Sequence, residues 1–307
     1  MRLRTKMEHL PSLVQQELRN VTAMLFEAFT ETNKGRLSDP YRSGRILALI
    51  LHGPHASSEA AQAISNEPFT LLAIVNHPRL ARYERDWRLV RDRLRRASEF
   101  GEIGRAVRLT VESRERVNNA LNEGVPHYVE IVTDGIALYQ MEGLRLEIPR
   151  NLSASERRMR GLDEYARWYE RASDFLLGAG FYRELGNKPM AALLLHQGCE
   201  HLYQCVLWTL TLHGPRTHSL DELRGAAETI SPSLRVAWPR ELPFERRAFT
   251  RVDRAYVEVR YGRAYRIDSK ELAWAMERAA ILHNIVRSQC RERLDDMVPA
   301  TAEFCHG

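Results

Sequence analysis

Arg45-Ile-Leu-Ala-Leu-Ile-Leu-His52 is a continuous apolar run that ends at Gly53-Pro54. A short run of this kind is typical of a strand buried on both faces, and a Gly-Pro pair after it indicates a sharp turn. A second run, Phe69-Thr-Leu-Leu-Ala-Ile-Val75, ends at Asn76-His-Pro78. Two buried strands so close together predict a sheet in the first half of the chain.

Helices and further strands are predicted on both sides of these two runs. Residues 79–98 carry apolar side chains at spacings of three and four, which is the pattern of an amphipathic helix. Tyr128-Val-Glu-Ile-Val132 alternates between apolar and other side chains, which favours a strand. The predicted order is helix (12–32), strand (45–52), strand (69–75), helix (79–98), strand (106–111), helix (113–121) and strand (128–132). Residues 1–150 are therefore expected to form a mixed α/β domain.

After residue 150 the pattern becomes helical throughout. Ser155 is positioned to cap a first long helix, and Gly214-Pro215, Pro232 and Pro239 separate later ones. The predicted helices cover about 155–183, 188–213, 219–229, 242–263 and 270–293. Residues 151–307 are expected to form a helical bundle. The fold class is thus α+β, with a mixed sheet in the first domain and an all-α second domain.

The charge of the chain comes mainly from arginine. The chain has 307 residues and a formal net charge of +5, and only four of its 45 basic residues are lysines. Guanidinium groups are planar, forked donors that suit phosphates and carboxylates. This balance is compatible with a nucleotide or nucleic-acid partner, although a compositional bias gives the same balance.

Several common classes of protein are disfavoured by what the sequence lacks. No apolar run reaches the roughly 20 residues that span a bilayer, so no membrane segment is expected. The four cysteines contain no CxxC pair, which disfavours a disulfide framework and favours a cytoplasmic location. P-loop, GxGxxG, HExxH and GxSxG motifs are absent, which argues against the common NTPase, dehydrogenase, zinc-protease and hydrolase classes.

The arginine-rich segment 79–96 is the best candidate for a nucleic-acid surface. Arg82, Arg85 and Arg88 are expected to reach solvent while the apolar stripe packs on the sheet. The alternative is an ordinary solvated face, in which these arginines form salt bridges with Glu84, Asp86 and Asp92.

The glycine turn and the second strand resemble a known enzyme superfamily. Leu51-His-Gly53-Pro54-His55 is followed by Glu67-Pro68-Phe69-Thr70 and then the apolar run. This order is similar to that of the nucleotidyltransferase superfamily of DNA polymerase β and kanamycin nucleotidyltransferase. There, one strand ends in Gly-Ser, the next carries Asp-x-Asp and a later strand carries a third Asp. The resemblance implies Gly53 and Thr70 as candidate ligand-binding residues.

The acids of that pattern bind two Mg²⁺ ions, which bridge the phosphates of a nucleoside triphosphate. Here Pro68 and Thr70 occupy the Asp-x-Asp positions, and Glu130 matches the third Asp. Glu130 is therefore the remaining candidate metal ligand and catalytic residue. Glu67, which faces the other way unless the strand bulges, and Glu59 in the loop are candidate replacements. Mg²⁺ with a nucleoside triphosphate is expected only if transferase activity survives.

Three stretches of the second half resemble the HEPN family of helical domains. They are Ala191-Ala-Leu-Leu-Leu-His-Gln-Gly-Cys-Glu-His-Leu202, Thr217-His218-Ser-Leu220 and Ala255-Tyr-Val-Glu-Val-Arg-Tyr-Gly-Arg-Ala-Tyr265. The likeness covers roughly residues 165–293. HEPN domains are often fused to, or encoded beside, nucleotidyltransferases of the type above, and the resemblance implies a homodimer.

Ribonuclease members of the HEPN family use an Arg-x(4–6)-His motif. Arg260 stands at the arginine position, and Tyr265 stands where a histidine is expected. Without the imidazole, general acid–base cleavage of RNA is disfavoured. Arg260, Arg263 and Tyr265 remain candidates for binding a phosphate and stacking a base. The alternative is that Arg260 pairs with an acid inside the bundle, Asp253 or Glu258.

A polar stripe lies on the otherwise apolar helix 188–213. It contains His196, Gln197, Glu200, His201 and Gln204. Polar groups on a buried helix need partners, so His196 and Glu200 are candidate ligand-binding residues near Arg260. The alternative is that the stripe is simply the outer face of the helix.

Taken together, these patterns predict a regulatory protein that binds a nucleotide or RNA, built on a degenerate nucleotidyltransferase-like domain and a HEPN-like domain. One alternative is an active, metal-dependent nucleotidyltransferase that modifies RNA, a protein or a small molecule. A second alternative is an interaction protein of a toxin–antitoxin-like or stress system.

Overall fold

The computed structural model describes residues 3–57, 67–262 and 264–297. It divides into two compact units, of which the first ends at Asn151 and the second begins at Leu152. The first unit contains a mixed sheet and the second is helical, so the predicted α+β class is confirmed. Glu59 and Arg263 lie outside the described residues.

The first unit is built on a four-stranded sheet in the order β3-β2-β1-β4. The strands are β1 (Ile46–His52), β2 (Phe69–Val75), β3 (Val107–Ser113) and β4 (Ile136–Gln140). β1 is antiparallel to both β2 and β4, whereas β2 and β3 are parallel. Nearly every side chain of β1 and β2 is buried, as their continuous apolar runs predict.

Helices cover both faces of this sheet. They are α1 (Ser12–Asn33), α2 (Asp39–Arg42), α3 (Pro78–Arg82), α4 (Arg88–Glu99), α5 (Arg114–Glu123) and α6 (Pro126–Asp134). α1 and α4 share one apolar cluster with alternate residues of β2, among them Leu71 and Ala73. α5 contacts β2 and β3, and α6 contacts β1. Because side chains alternate along a strand, the other residues of β2, such as Leu72, face away from the α1–α4 cluster.

The single helix predicted over residues 79–98 is wrong, because the chain breaks it into two helices joined by a 3₁₀ turn, Glu84–Trp87. The Trp87 indole N–H donates to the Leu80 carbonyl at 2.7 Å. The buried carboxylate of Asp86 accepts from the Tyr41 hydroxyl at 2.7 Å and from Arg36 at 3.0 Å. These tertiary contacts stabilise the 3₁₀ turn, which the apolar spacing of the sequence does not predict.

The strand predicted over residues 128–132 is also wrong, since these residues lie in α6. Pro126 occupies the first turn, where its missing N–H costs nothing. Tyr128, Ile131 and Val132 are the buried residues of α6, and their spacing of three and four is that of a helix. Glu130 is exposed on this helix, and the fourth strand follows it as β4.

In the second unit, helix α8 is central. The helices are α7 (Ala154–Glu184), α8 (Lys188–Thr211), α9 (Leu220–Ile230), α10 (Pro243–Tyr261) and α11 (Ser269–Asp295). α8 packs against each of the other four. The cap of α7 is Ser153, which forms a capping box with Glu156, and not the predicted Ser155. No helix among the described residues is long and apolar enough to cross a bilayer.

Candidate functional site

Gly53 and Thr70 come together at one end of the β1–β2 pair. Gly53 has φ 73° and ψ −153°, a conformation that residues with a Cβ avoid. A Cβ added to Gly53 would lie 4.0 Å from the Thr70 hydroxyl oxygen. Thr70 pairs with His52 across the ladder. Gly53 and Thr70 are therefore neighbours at this end of the sheet.

The acids of that pattern are not assembled at this end of the sheet. On β3, the residue that pairs with Thr70 is Arg108, a cation. Glu130 is exposed on α6. Glu67 is exposed and precedes β2, where its charge acts on the pKa of His55. Among the described residues, no group of three His, Cys, Asp or Glu side chains is placed to hold a metal ion. The described residues at this end therefore do not fit a two-magnesium centre, because Mg²⁺ requires several oxygen ligands and the neighbour of Thr70 on β3 is a cation.

Two histidines that the sequence did not single out lie at the same end. The rings of His52 and His127 are 5.9 Å apart and nearly perpendicular. Burial and, to a smaller extent, the neighbouring His127 lower the pKa of His52 to about 3. Burial lowers the pKa of His127 to about 4. Both imidazoles are therefore neutral at physiological pH, and they are unsuited to bind a phosphate by charge.

The polar stripe of α8 is buried, so it is not the outer face of the helix. His196 is fully buried, and Glu200 is nearly so. The Glu200 carboxylate accepts from His218 Nδ1 at 3.0 Å and from Gln197 Nε2 at 3.0 Å. His196 Nε2 lies 3.4 Å from the same carboxylate, and His196 Nδ1 donates to the Val252 carbonyl at 3.1 Å.

These contacts keep Glu200 ionised despite its burial. Burial alone raises its pKa, but hydrogen bonds and charge from His196 and His218 outweigh burial, so the pKa lies below its ordinary value. The carboxylate fixes His218, because the Nδ1–H of that ring points at Glu200. The Nε2 edge of His218 is then left for another group, and this side chain is 57% exposed.

Tyr256 on α10 connects the stripe to Arg260. Its ring stacks on His218 with centroids 4.2 Å apart, and His196 stacks at 5.4 Å. The Arg260 guanidinium lies 4.7 Å from the Tyr256 ring centroid and 5.0 Å from that of Tyr261. Arg260 forms no ion pair with any described residue, so the predicted pairing with Asp253 or Glu258 is wrong.

A groove of about 440 Å³ opens beside this cluster. It is lined by His218, Ser219, Asp253, Arg254, Tyr256, Val257 and Glu258. Glu258 is paired with Arg254 at 3.9 Å, and Asp253 accepts from the Leu220 N–H at 2.7 Å. We call this feature the Tyr256 groove.

Tyr265 is separated from the Tyr256 groove. Its hydroxyl donates to the Arg251 carbonyl at 2.9 Å, its ring is half-buried against the core of the second unit, and burial raises its pKa. Tyr265 lines a different cavity, described below. Tyr265 thus lines a different cavity from the groove beside which Arg260 lies, and their joint role in one site stays a prediction.

The candidate nucleic-acid surface of the first unit keeps its charge. Arg82 and Arg85 lie 5.3 and 4.8 Å from the Tyr83 ring centroid, and Arg88 is exposed. Two of their neighbouring acids pair elsewhere, Asp86 with Arg36 at 3.0 Å and Asp92 with Arg95 at 3.6 Å, and the side chain of Glu84 lies outside the described part. Arg82, Arg85 and Arg88 form no ion pair with any acid that the structure describes.

Sequence reasoning missed His218 and Tyr256 as site residues. The available signal was the spacing of Tyr256 and Arg260, which are four residues apart and so share one face of a helix. His218 gave no such signal, because only the packing of α8, α9 and α10 brings it to Glu200.

Comparison with known proteins identifies the helical domain. A search of curated proteins gives no match to this chain. No nucleotidyltransferase family model matches the first unit. The HEPN domain family model matches residues 165–289, which span α8, α9 and α10 with most of α7 and α11. Residues 165–289, including the Tyr256 groove and Arg260, therefore form a HEPN domain.

Proposed function

We propose that this protein binds a nucleotide or RNA through its HEPN domain and acts as a binding or regulatory protein. The observation that carries the proposal is the cluster of Arg260, Tyr256 and His218 beside the Tyr256 groove. Arg260 is a cation with no acidic partner among the described residues, and it lies against two aromatic rings.

The aromatic rings supply the apolar part of such a site. Tyr261 is 72% exposed and Val257 is 57% exposed, so both offer surface to a ligand. Stacking of a base on an aromatic side chain contributes about 1–3 kcal/mol and tolerates any base. An arginine held against such rings is positioned to pair with the phosphate attached to a stacked base.

The charges of the groove favour one orientation of the ligand. Asp253 and Glu258 line the groove, whereas Arg260 lies at the Tyr256 ring. A phosphate is therefore expected at Arg260, with the base directed into the groove. His218, oriented by Glu200, presents its Nε2 edge as a further hydrogen-bonding group.

Binding without nucleotidyl transfer is favoured by the chemistry of the first unit. Pro68 and Thr70 occupy the paired acidic positions, Arg108 pairs with Thr70, and Glu130 lies on a helix. An arginine beside the metal position opposes the binding of a divalent cation. A regulatory role for this unit is consistent with the loss of its acids.

The test is binding of a labelled single-stranded RNA, and of ATP and GTP, to the full chain before and after Arg260→Ala. We expect at least a tenfold loss of affinity, which corresponds to about 1.4 kcal/mol. Arg235→Ala is the matched control, because Arg235 is an exposed arginine of the same domain with no ion pair to a described acid. Equal affinities of wild type and Arg260→Ala would refute the proposed site.

A second assay separates binding from transfer. The full chain is incubated with labelled nucleoside triphosphates, Mg²⁺ or Mn²⁺, and a mixed RNA and protein extract. We expect no transfer of label above that of a heat-denatured sample. Transfer that disappears in Glu130→Ala would overturn the binding-only proposal and favour an active transferase.

A further inference from the structure

A second cavity of about 610 Å³ lies in the helical unit, away from the Tyr256 groove. Its lining includes Lys188 at the start of α8, Arg247 and Arg251 on α10, and Arg266 and Glu271 next to and in α11. Both cavities are lined in part by α10, but their linings share no residue.

Positively charged side chains outnumber negatively charged ones around this cavity. Arg247 is neutralised by Glu271, whose carboxylate lies 2.6 Å from the Arg247 Nε. Lys188, Arg251 and Arg266 form no ion pair with any acid in the described part of the chain. We call these three residues and the space between them the basic cavity.

The remaining acid of the lining is already in use. The Asp268 carboxylate accepts from the Glu271 backbone N–H at 2.7 Å, as the cap of α11. Its charge is thus directed at a helix N-terminus, and the basic cavity keeps an excess of positive charge. The N-terminus of α8 adds partial positive charge on the Lys188 side.

Tyr265 connects two of the segments that line the basic cavity. Its hydroxyl donates to the Arg251 carbonyl, which fastens the segment before α11 to α10. This contact places the half-buried Arg251 and the exposed Arg266 beside the same cavity. Three cations brought together without an ion pair to a described acid repel one another, so a bound anion would stabilise them.

We propose that the basic cavity is a second ligand site, which binds a group carrying two or more adjacent phosphates. Two guanidinium forks and an ammonium suit several phosphate oxygens at once. The volume of about 610 Å³ exceeds what one phosphate fills. The polyphosphate of a free nucleotide and the backbone of an RNA share this chemistry. The proposal does not rest on the function proposed for the Tyr256 groove, because it uses other residues.

The first probe is inorganic tripolyphosphate, titrated calorimetrically into the full chain at low ionic strength with sodium chloride as the ionic-strength control. We expect binding by the wild-type protein and at least a tenfold loss of affinity in Arg251→Gln and in Arg266→Gln. Arg235→Gln is the control that retains binding, and Arg260→Ala is measured beside it to show whether the anion occupies the Tyr256 groove instead. Arg266 is exposed, so its variant keeps the test valid if Arg251→Gln does not fold.

Absence of tripolyphosphate binding by the wild-type protein would overturn the proposal. Loss of binding in Arg260→Ala, with retention in Arg266→Gln, would also overturn it, because the anion would then occupy the Tyr256 groove. Competition identifies the source of the phosphates. Displacement of tripolyphosphate by ATP alone supports a nucleotide site, and displacement by a single-stranded RNA with a 5′-hydroxyl supports a backbone site. Failure of both to displace it would contradict a nucleotide or RNA ligand in the basic cavity.

Discussion

Glu200 is a buried carboxylate surrounded by nitrogen-bearing side chains. His218 and Gln197 each donate to it at 3.0 Å, and His196 lies 3.4 Å away. Removing one partner from such a network leaves the remaining donors without an acceptor, which costs more than the hydrogen bond itself contributes. The stability of the HEPN domain is therefore coupled to the orientation of His218.

Glu200→Leu is expected to lower the free energy of unfolding by about 2–4 kcal/mol at pH 7, because it leaves these donors unsatisfied. Glu200→Gln keeps an acceptor for His218 and is expected to cost only about 1 kcal/mol. Urea unfolding followed by tryptophan fluorescence measures both. Equal losses in the two variants would show that the carboxylate position contributes by packing alone.

His52 and His127 give the first unit a pH dependence. Their pKa values in the folded protein, about 3 and about 4, lie below the ordinary histidine value of 6.5. Between pH 6.5 and 4, the unfolded chain therefore binds more protons than the folded one. The stability that depends on the neutral rings is complete above pH 6.5 and is lost as the pH falls toward the folded pKa values.

We expect the first unit to lose about 2–2.5 kcal/mol per histidine between pH 7 and pH 4.5. Hydrogen exchange of peptides from β1 and β2, corrected for the intrinsic rate at each pH, measures this change. The double variant His52→Gln/His127→Gln should have a flatter profile. An unchanged profile in the double variant would assign the pH dependence to other groups.

At the scale of elements, the sequence predicts an element best when its signal is local. β1 and β2 follow directly from their apolar runs, and the helices of the second unit follow from their spacing and their Gly-Pro boundaries. Tyr128-Val-Glu-Ile-Val132 fits both an alternating strand and a helix with buried residues three and four apart, so its pattern alone does not predict α6. Pro126 favours a helix locally, and the packing of α6 on β1 stabilises it.

The residues of the candidate site, too, are predictable from the sequence only where the signal is local. His196 and Glu200 were identified from the sequence because they share one helix. Tyr256 and His218 join them only through the packing of separate helices, which no local pattern records. Proximity in sequence groups Tyr265 with Arg260, but Tyr265 lies beyond the end of α10 and lines the basic cavity.

Two helical glycines of the second unit provide a matched test of helix packing. A Cβ on Gly161 of α7 would lie 2.9 Å from the Thr209 carbonyl oxygen of α8 and 2.7 Å from Leu294 Cδ2. A Cβ on Gly225 of α9 would meet nothing within 4 Å. Alanine is favoured over glycine inside a helix by about 1 kcal/mol, so only the contacts distinguish the two sites.

Gly161→Ala is therefore expected to destabilise the protein by about 1–3 kcal/mol, because the α7–α8 contact must widen. Gly225→Ala is expected to stabilise it by about 0.5–1 kcal/mol. Urea unfolding of the two variants side by side measures both changes. If Gly161→Ala is as stable as Gly225→Ala, the close approach of α7 to α8 is wrong.

At the scale of the whole molecule, both units have arginines that form no ion pair with any acid that the structure describes. The first unit has Arg82, Arg85 and Arg88, and the second has Arg260 and the basic cavity. Each phosphate contact made by a cation releases counterions from the nucleic acid, so contacts in either unit steepen the salt dependence of binding. The salt dependence of RNA binding by the full chain therefore reports whether the first unit takes part.

For single-stranded RNA, the plot of log affinity against log salt concentration falls by about 0.7 for each phosphate contacted. If the first unit contacts RNA, Arg82→Gln/Arg85→Gln/Arg88→Gln should reduce this slope by about 1–2. Arg93→Gln/Arg95→Gln is the control from the same segment, because Glu102 neutralises Arg93 at 2.9 Å and Glu99 neutralises Arg95 at 2.7 Å. We expect the control to keep the wild-type slope, since paired arginines release few counterions. Equal slopes for the wild type and the triple variant would confine RNA binding to the helical unit, and the arginines of segment 82–88 would then be an ordinary solvated face.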